Sequence, residues 1–539
     1  MNNIDLVVVG AGSAGCIVTN QIINKTNFKI LLVEAGPSDN NPIVKIPLGY
    51  GMTFFDKKLN WNFYSTKQKN LLNREIYFPR GKVLGGSGSI NAMVYTRGLE
   101  SDYENWGNGT NNLWSWHDIK SSYESIEKNI SEIDKTKIYN KIPVNDVSKF
   151  HHPIVQNFFE ASKEIGITVN KNLTTDSINQ VGHYNINTRN GYRFTSSDGF
   201  LKPIMKSKNL IVLKNSIAKK VIFDQKKISQ ILIINDGKEV SIKPNIGVIL
   251  CTGAIMTPHL LMHSGIGPAN KLKEVGIDLR LDSPNVGNHL QDHIGIDYLY
   301  KSKVNTLNYL LGNWKGRAAS IIEYLLKRKG PLSLSINQSG GFINWKSKDK
   351  LPNLQLYFNP ISYSISYNKK RPLLRTDKFN GFAMGFNSCR PKSRGSVFIS
   401  TNKFNDFPII DPNYLTDQED IYDLKCAFDI IRKLSVSKHI RDINNGPVNI
   451  DPLQLSDEEL INHFRDNAVS VYHPCGTCRM DNDIYKGVVS EKLKVHGTEN
   501  LWIADASILP NITSGNINAP VMMMAYRGSQ LIINDIINK

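Results

Sequence analysis

The sequence predicts an α/β fold, α+β overall, in which a Rossmann-like domain with a parallel sheet carries an inserted antiparallel-sheet domain. Residues 1–36 are arranged as a strand, a glycine turn, a helix and a second strand that ends in an acid. Another strand of the same apolar type, at residues 501–505, lies close to the other end of the chain. The region between, from about 306 to 466, mixes strands with a helix and lacks glycine motifs of the phosphate-binding kind. The 539 residues also exceed one ordinary core, so two domains are expected.

The N-terminal unit begins with a strand at residues 4–9, whose nearly continuous apolar run is typical of a buried parallel strand. Gly10, Gly12 and Gly15 then form a GxGxxG turn before the helix. In such a turn the glycines allow the tight bend, the approach of backbone to a pyrophosphate and close helix–strand packing, while the helix N-terminus attracts the phosphates. Glu34 ends the second strand, where a carboxylate can accept hydrogen bonds from ribose hydroxyls. This unit predicts a dinucleotide site and does not by itself separate NAD from FAD.

The remaining elements predict a discontinuous cofactor domain. A loop-rich stretch leads into a glycine-rich segment at 79–91, and a second glycine and proline region covers 253–267. Strands are expected at 210–213, 220–223, 229–234 and 247–251, and helices at 417–435 and from residue 520. We therefore assign residues 1–150, 190–305 and 467–539 to the cofactor-binding domain and residues 151–189 and 306–466 to the substrate-binding domain.

Composition excludes several classes of protein. The net charge is +17, but the basic residues are scattered, so no nucleic-acid partner is expected. Six cysteines, mostly far apart, do not form a disulfide framework and indicate a reducing compartment. No apolar run approaches the ~20 residues needed to span a bilayer, and the first strand starts too early for a signal peptide. We expect a cytoplasmic protein, with attachment to a membrane surface left open.

Five segments, at residues 79–91, 253–267, 285–293, 472–478 and 505–507, resemble conserved segments of the glucose-methanol-choline (GMC) flavoprotein oxidoreductases, in the same order. The first contains Pro79-Arg80-Gly81-Lys82-Val83-Leu84-Gly85-Gly86-Ser87 and Asn91. The resemblance extends over nearly the whole chain, and the nearest branch is similar to the choline-dehydrogenase-like alcohol dehydrogenases.

This resemblance implies FAD. By carry-over, Glu34 holds the adenosine ribose, Ala218 offers backbone to adenine, and Ala506 lies by the pyrophosphate. Some relatives attach FAD through a histidine at the position of Ile90, so the flavin of this chain should be noncovalent. The residues that the resemblance assigns to FAD are Gly10, Gly12, Ser13, Ala14, Gly15, Glu34, Ala35, Arg80, Val83, Gly85, Gly88, Asn91, Ala92, Met93, Val94, Ala218, Asp505, Ala506, Ala519 and Pro520.

His473 matches the active-site histidine of the family. Residue type alone indicates little, because the chain has 12 histidines. The resemblance implies that His473 is the general base, which takes the hydroxyl proton while the alcohol carbon gives hydride to the flavin. Asn518 is aligned with the second active-site position, where an amide can donate to the substrate oxygen; alternatively it caps the following helix, and both roles can hold. Pro520 suits the first turn of that helix, whose N-terminus would stabilise the reduced flavin.

Two further positions bear on metal and substrate. Cys475 and Cys478 form a CxxC, but a zinc site needs more ligands and a thioredoxin-like site needs a different context, so no metal is expected. Choline-oxidising relatives carry a glutamate where this chain has Gln338. A neutral side chain cannot pair with a quaternary ammonium, so a neutral primary alcohol is predicted as substrate in preference to choline.

Four functions remain open from the sequence. The first is an alcohol dehydrogenase that passes electrons to a quinone or another carrier, and the second is an oxidase that uses O₂. The third is a hydroxynitrile-type lyase that keeps FAD as scaffold, and the fourth is a basic binding protein without catalysis. His473 and Asn518 favour the enzymes over the binding protein, but they do not separate dehydrogenase from oxidase.

Overall fold

The structure is a computed structural model that describes residues 3–108, 110–131, 138–173, 178–347, 351–367 and 373–538. Its central parallel sheet has five strands, and every neighbouring pair is parallel. The spatial order is Leu210–Leu213, Ile30–Val33, Ile4–Val9, Pro244–Leu250 and Leu501–Ile503. The two ends of the chain therefore contribute to one sheet, which confirms the Rossmann-like fold predicted from the sequence.

The parallel sheet forms because its strands are rich in Val, Ile and Leu; the inner strands Ile4–Val9 and Ile30–Val33 are almost wholly buried, whereas Ile211 on the edge strand is 41% exposed. Helix Ser13–Lys25 follows the first strand and packs against the C-terminal helix Asn518–Ile537. Both helices contribute buried side chains to the core around the sheet. The carboxyl end of the central strand lies where the connections leave in opposite directions, which is the usual ligand site of such sheets.

A second, eight-stranded sheet forms the other core. Its strands pair antiparallel except for the parallel pair Thr168–Asn172 and Gln180–His183. The order is Asn444–Pro447, Ile294–Ser302, Gly381–Ser388, Leu354–Asn359, Ser339–Ile343, Gln180–His183 and Thr168–Asn172, with Val469–Ser470 paired to Ile294–Ser302. Helices Val155–Glu164 and Gln418–Val436 pack on this sheet.

The remaining strands form small sheets at the margins of these two cores. They are Phe63–Gln68 with Arg74–Phe78, Glu127–Ser131 with Ile142–Asp146, Thr188–Arg189 with Tyr192–Arg193, Ser216–Asp224 with Lys227–Asn235 and Lys238–Ile242, Ile266–Gly267 with Leu281–Asp282, Asn288–Leu290 with Gly395–Phe398 and Ile409–Asp411, and Tyr363–Ser366 with Leu373–Thr376.

The other α-helices are mostly short and connect the strands. They are Pro42–Lys45, Tyr50–Thr53, Glu100–Asn108, Trp116–Ile126, Lys202–Ile204, Gly253–His263, Ala269–Glu274, Leu307–Leu311, Trp314–Lys327, Lys438–Ile443 and Asp457–Asn467. No helix in the described ranges is both long and apolar enough to cross a membrane.

The predicted boundaries differ from the structure at a few places. The helix expected at 417–435 is Gln418–Val436, with Asp417 as its N-cap, and the helix expected from Pro520 begins at Asn518. Strands Ile294–Ser302 and Val469–Ser470 belong to the eight-stranded sheet, although the predicted ranges 190–305 and 467–539 assign them to the cofactor-binding domain. Their partners in that sheet, such as Gly381–Ser388, are distant in sequence, so local patterns do not reveal the pairing. The remaining domain ranges stay a prediction.

Candidate active site

One cavity of about 800 Å³ extends from the N-terminal glycine turn to His473. Most of the residues predicted to bind the cofactor or act in catalysis lie on its wall. They are Gly10, Gly12, Ser13, Ala14, Glu34, Ala35, Arg80, Asn91, Ala92, Met93, Val94, Ala218, Asp505, Ala506, His473 and Asn518. The fold thus brings residues from both ends of the chain to one continuous site.

The three glycines of the N-terminal turn have different structural roles. Gly10 has φ +96°, and a Cβ there would lie 2.4 Å from the carbonyl oxygen of Cys251. A Cβ on Gly15 would lie 1.8 Å from the carbonyl oxygen of Gly10. Gly12 differs, because its nearest neighbour would be Cα of Gly86 at 3.8 Å. The fold requires Gly10 and Gly15, whereas Gly12 leaves room on the cavity wall for a ligand to approach the backbone.

The helix that follows this turn also faces the cavity. Helix Ser13–Lys25 begins after Gly12 without a side chain that caps its first N–H groups. Unpaired N–H groups at a helix N-terminus are favourable partners for phosphate oxygens. The turn therefore fits the pyrophosphate of a dinucleotide.

Glu34 lies on the cavity wall beside the glycine turn. Its Oε2 accepts a hydrogen bond of 2.8 Å from the N–H of Ala11, and Oε1 accepts one of 2.8 Å from the N–H of Gly36. Burial raises the pKa of Glu34 to about 7. A carboxylate oxygen can accept more than one hydrogen bond, so this fixed carboxylate retains capacity for ribose hydroxyls.

Several predicted cofactor residues do not line the cavity: Gly15, Val83, Gly85, Gly88, Ala519 and Pro520. Gly85 donates its N–H to the carbonyl of Ala11 at 2.8 Å, which joins the glycine-rich segment to the N-terminal turn. Val83 packs in a small apolar cluster with Val44, Leu59 and Ile90. Ala519 and Pro520 are buried in the first turn of the C-terminal helix. In the structure these residues lie behind the residues that line the cavity.

Asn518 connects the two ends of the chain. Its Oδ1 accepts a hydrogen bond of 2.7 Å from Oγ of Ser13. It is the first residue of its helix, and the N-cap position belongs to Ile517, which provides no side-chain cap. The predicted capping role is therefore wrong, and the uncapped helix N-terminus is free to act on a ligand in the cavity.

Asn516 lies within hydrogen-bond distance of His473. Nδ2 of Asn516 lies 3.2 Å from Nε2 of His473, while Oδ1 of Asn516 is buried without a hydrogen-bond partner in the described structure. Asn516 and Asn518 both line the cavity, so the predicted role of Asn518 at the substrate oxygen stays a prediction, and Asn516 is a second amide that the structure places at His473.

The ring of His473 is held in one tautomer. Nε2 of His293 lies 3.0 Å from the carbonyl oxygen of Cys389, which can only accept, so this nitrogen carries a proton. Nδ1 of neutral His293 is then an acceptor, and Nδ1 of His473, 2.9 Å away, must donate to it. The lone pair of His473 is left on Nε2, where it faces Asn516. This nitrogen can accept a proton from a bound substrate.

The loop that carries His473 is fixed by the residues just before His293. Gln291 and Cys475 exchange two backbone hydrogen bonds of 3.0 Å. The buried carboxylate of Asp292 accepts the N–H of His473 at 2.7 Å and the hydroxyls of Ser470 and Tyr414 at 2.5 Å each. Burial raises the pKa of Asp292 to about 6. The network fixes the position of the His473 ring through the backbone on both sides of it.

Electrostatics keep His473 neutral. Burial, the neighbouring His293 and the guanidinium of Arg80 hold the pKa of His473 well below its usual range. Burial also lowers the pKa of His293 to about 4. Nη2 of Arg80 donates to the carbonyl of Tyr472 at 2.6 Å, and burial lowers the pKa of Arg80 only to about 10, so it remains a cation. The imidazole at the end of the cavity is therefore available as a base at neutral pH.

Another part of the cavity wall carries several aromatic side chains and the carboxyl of Asp297. The aromatic side chains on this wall include Phe54, Tyr357, Tyr363, Tyr367 and Tyr472. Asp297 also lies on the wall, and its Oδ2 accepts a hydrogen bond of 2.9 Å from the hydroxyl of Tyr363. Burial raises the pKa of this carboxyl. Asp297 could not be identified from the sequence, because no glycine motif or spacing marks it.

Gln338, the residue predicted to control specificity, does not face the cavity. Its side chain is buried, and its Oε1 accepts a hydrogen bond of 2.7 Å from the N–H of His152. The preceding residue, Asn337, lines the cavity instead. Side chains alternate along extended chain, so a difference of one residue in register moves a side chain to the opposite side.

Cys475 and Cys478 belong to the core of the parallel-sheet part. Both thiols are free, and burial raises the pKa of each. Buried thiols with raised pKa values are unreactive. Within the residues that the structure describes, no cluster of three histidine, cysteine or acidic side chains is arranged to hold a metal ion.

Comparisons with known proteins agree with this site. Two family models described as GMC oxidoreductase match residues 4–295 and 391–525. An alcohol dehydrogenase (acceptor) of Pseudomonas putida is 35% identical, covering 99% of this chain and 96% of the relative. An oxygen-dependent choline dehydrogenase of Rhizobium meliloti is 31% identical over 98% of this chain and 95% of the relative. Among solved structures, pyridoxine 4-oxidase from Mesorbium loti has a TM-score of 0.85 at 25% identity, with 99% of both chains covered.

Proposed function

Since this chain belongs to the GMC oxidoreductase family and is an FAD-dependent oxidoreductase that acts on CH–OH donors, we propose that it oxidises an alcohol to an aldehyde with His473 as the general base. The main support for the proposal is the lone pair on Nε2 of His473. The hydrogen bonds from His473 to His293 and from His293 to the carbonyl of Cys389 leave Nε2 without a proton, on the side of the ring that faces Asn516.

The cavity fits noncovalent FAD. Gly12 and the start of helix Ser13–Lys25 would hold the pyrophosphate, Glu34 the adenosine ribose, and residues 91–94 with the N-terminus of helix Asn518–Ile537 the flavin. Ile90 has no nucleophilic atom with which to form a covalent link. When bound, FAD supplies the acceptor for the hydride of the alcohol carbon.

Residues of the protein accept the hydroxyl proton of the alcohol and orient the substrate. Nε2 of His473 accepts the hydroxyl proton, and Nδ1–H of the same ring stays hydrogen-bonded to His293 before and after the transfer. The amide Nδ2 of Asn516 is placed to donate to the substrate oxygen and to orient the C–H bond. Arg80 disfavours a long-lived imidazolium and so helps the proton to leave.

We propose that the electrons pass to a quinone or another carrier. The support is the relative with 35% identity, whose name specifies a separate acceptor. Other relatives and neighbours are named for oxygen or for oxidase activity, so O₂ is the alternative acceptor. The geometry of the site offers no additional reason to choose the alternative.

Anaerobic mixing of the holoenzyme with a panel of alcohols tests the proposal. A substrate should bleach the flavin absorbance; the colour should return quickly with a quinone analogue and slowly in air. Rapid return in air would assign the enzyme to the oxidases. Absence of bleaching with every alcohol, together with cleavage of a cyanohydrin, would replace the proposal by lyase activity.

A further inference from the structure

The helix Trp314–Lys327 is inverted relative to an ordinary surface helix. The residues that it buries are Ser320 and Tyr324. Its large apolar side chains lie outside, with exposed fractions of 75% for Trp314, 50% for Ile321, 57% for Ile322, 60% for Leu325 and 78% for Leu326. Surface helices of soluble proteins normally turn their apolar side chains toward the core. Exposed apolar patches of this kind mark interaction sites.

The inverted helix is anchored through its polar side. The hydroxyl of Tyr324 donates a hydrogen bond of 2.9 Å to the carbonyl of Gly191, and Nε of Arg317 donates one of 2.7 Å to the carbonyl of Leu311. Asn313 caps the first turn by accepting from the N–H of Gly316 at 2.8 Å. The orientation of the apolar side chains toward solvent is therefore fixed by the fold.

The same helix borders the entrance of the cavity. Arg317 and Ile321 line the cavity, and Ile321 is also exposed, so it lies where the cavity opens. Met52 likewise lines the cavity and is 70% exposed. An apolar cluster that contains Leu311, with Leu332 and Ile336 packed against it, continues from the base of the helix along the wall. A continuous apolar surface thus joins the outer face of the helix to the interior.

The charged residues around this helix indicate the kind of surface that it binds. Residues 301–330 contain one acid, Glu323, against seven basic side chains. The basic residues are Lys301, Lys303, Lys315, Arg317, Lys327, Arg328 and Lys329. An apolar face with basic residues beside it is typical of helices that lie in the interface of an anionic bilayer. The net charge of +17 acts in the same direction over a longer range.

We propose that helix Trp314–Lys327 docks on an anionic lipid bilayer and places the entrance of the cavity against the membrane surface. The exposed apolar side chains enter the boundary between headgroups and acyl chains, while the basic residues contact the lipid phosphates. Alcohols dissolved in the membrane then reach His473 without crossing bulk water. This second consequence rests on the proposed alcohol oxidation, whereas the docking itself does not.

Flotation of the holoenzyme with vesicles tests the docking. The probes are vesicles of phosphatidylcholine with 30% phosphatidylglycerol and vesicles of phosphatidylcholine alone. The double variant Ile322→Glu/Leu326→Glu places charges on the apolar face without touching the cavity wall. The control Leu279→Glu/Ile484→Glu changes two other exposed apolar residues, with exposed fractions of 50% and 54%. Retained FAD and oxidation of a short alcohol with a soluble dye show that each variant is folded.

The wild type and the control should float with the anionic vesicles, and the double variant should bind them at least about tenfold more weakly. High salt and the omission of phosphatidylglycerol should each weaken binding. Equal flotation of the double variant and the wild type would overturn the proposal, as would equal flotation on both kinds of vesicle. A dimer that the double variant dissociates, with no flotation of the wild type, would show that a second copy covers the helix.

A second measurement covers the case in which the double variant does not fold. Brominated lipids should quench the tryptophan emission of the wild type more than that of Trp314→Phe, because the side chain of Trp314 is 75% exposed on the helix that we propose docks. Equal quenching of both proteins would overturn the proposal. Flotation without any bleaching by alcohols would instead refute the proposed function and leave the docking intact.

Discussion

The rings of His293 and His473 stand almost perpendicular to each other, at 88°, with 2.9 Å between their Nδ1 atoms. Only one of the two nitrogens can carry a proton, and the carbonyl of Cys389 decides which one, because it forces the proton of His293 onto Nε2. The tautomer of His473 is therefore set by a backbone carbonyl through a second imidazole.

His473→Ala should lower the rate of flavin reduction by ~10²–10⁴, the usual contribution of a general base, while FAD remains bound. Stopped-flow absorbance under anaerobic conditions measures the rate. His117→Ala is the matched control, because His117 is exposed and does not line the cavity. An unchanged rate in the His473 variant would remove this residue from the mechanism.

Asn516→Ala should slow flavin reduction more than Asn518→Ala, because only Asn516 contacts Nε2 of His473. Loss of one positioning hydrogen bond is expected to cost about 1–3 kcal/mol, or roughly a factor of 5 to 150 in rate. Asn518→Ala should act mainly on FAD retention, since Asn518 binds Ser13 beside the glycine turn. The opposite ranking of the two rates would favour Asn518 as the active-site asparagine.

His293→Ala should lower the reduction rate by about a factor of 10 or more, because nothing then fixes the proton on Nδ1 of His473. His293→Asn should recover part of the rate, since an amide can both accept from His473 and donate to Cys389. The low-pH part of the profile of reduction rate against pH distinguishes a positioning role of His293 from structural damage. A purely structural role would lower the rate at every pH, without rescue by asparagine.

The pH dependence of flavin reduction should reflect a base with a depressed pKa. In the proposed mechanism the proton-free form of His473 is the active form, and the pKa of His473 lies well below 6.5 because of burial, His293 and Arg80. The rate should therefore be flat from neutral pH upward and should fall only as the pH drops through a value below 6.5. Pre-steady-state rates between pH 5 and 9 measure the profile. An inflection at pH 7 or above would contradict this environment for His473.

Turnover of choline distinguishes the roles of Gln338 and Asp297. Gln338→Glu should not change the ratio of choline to neutral-alcohol turnover, because Gln338 is buried against His152 outside the cavity. Asp297→Asn should lower that ratio, since Asp297 is the carboxylate that the wall presents beside Tyr363. The preference of the native enzyme for neutral primary alcohols stays a prediction. Improved choline turnover in the Gln338 variant would return that residue to the substrate side.

The parallel sheet could be predicted because its signals are local. Strand Ile4–Val9 is a continuous apolar run followed at once by Gly10 and an acid-terminated second strand, and each of these features acts within a few residues. The position of strand Ile294–Ser302 could not be predicted in this way. Its apolar pattern fits either sheet, and only pairing with Gly381–Ser388, far along the chain, assigns it to the larger one.

The resemblance points to segments of the candidate site and not to single atoms. It predicts roles for His473 and Asn518, which stay predictions, but the contact of Asn516 with His473 depends on how the backbone enters the C-terminal helix. His293 belongs to a segment that the resemblance marked, yet its role requires the distance between two rings. Gln338 and Asn337 differ by one residue in register, which sequence spacing alone does not resolve.

The hydrogen bond between Ser13 and Asn518 joins positions 505 residues apart, and the last strand of the parallel sheet, Leu501–Ile503, arrives almost as late. During synthesis Ser13 therefore leaves the ribosome long before Asn518. At about 5–20 residues per second, this interval lasts roughly 25 to 100 seconds. The unfinished apolar sheet of the nascent chain is exposed to aggregation for that time, and FAD finds its full set of contacts only after Asn518 has emerged.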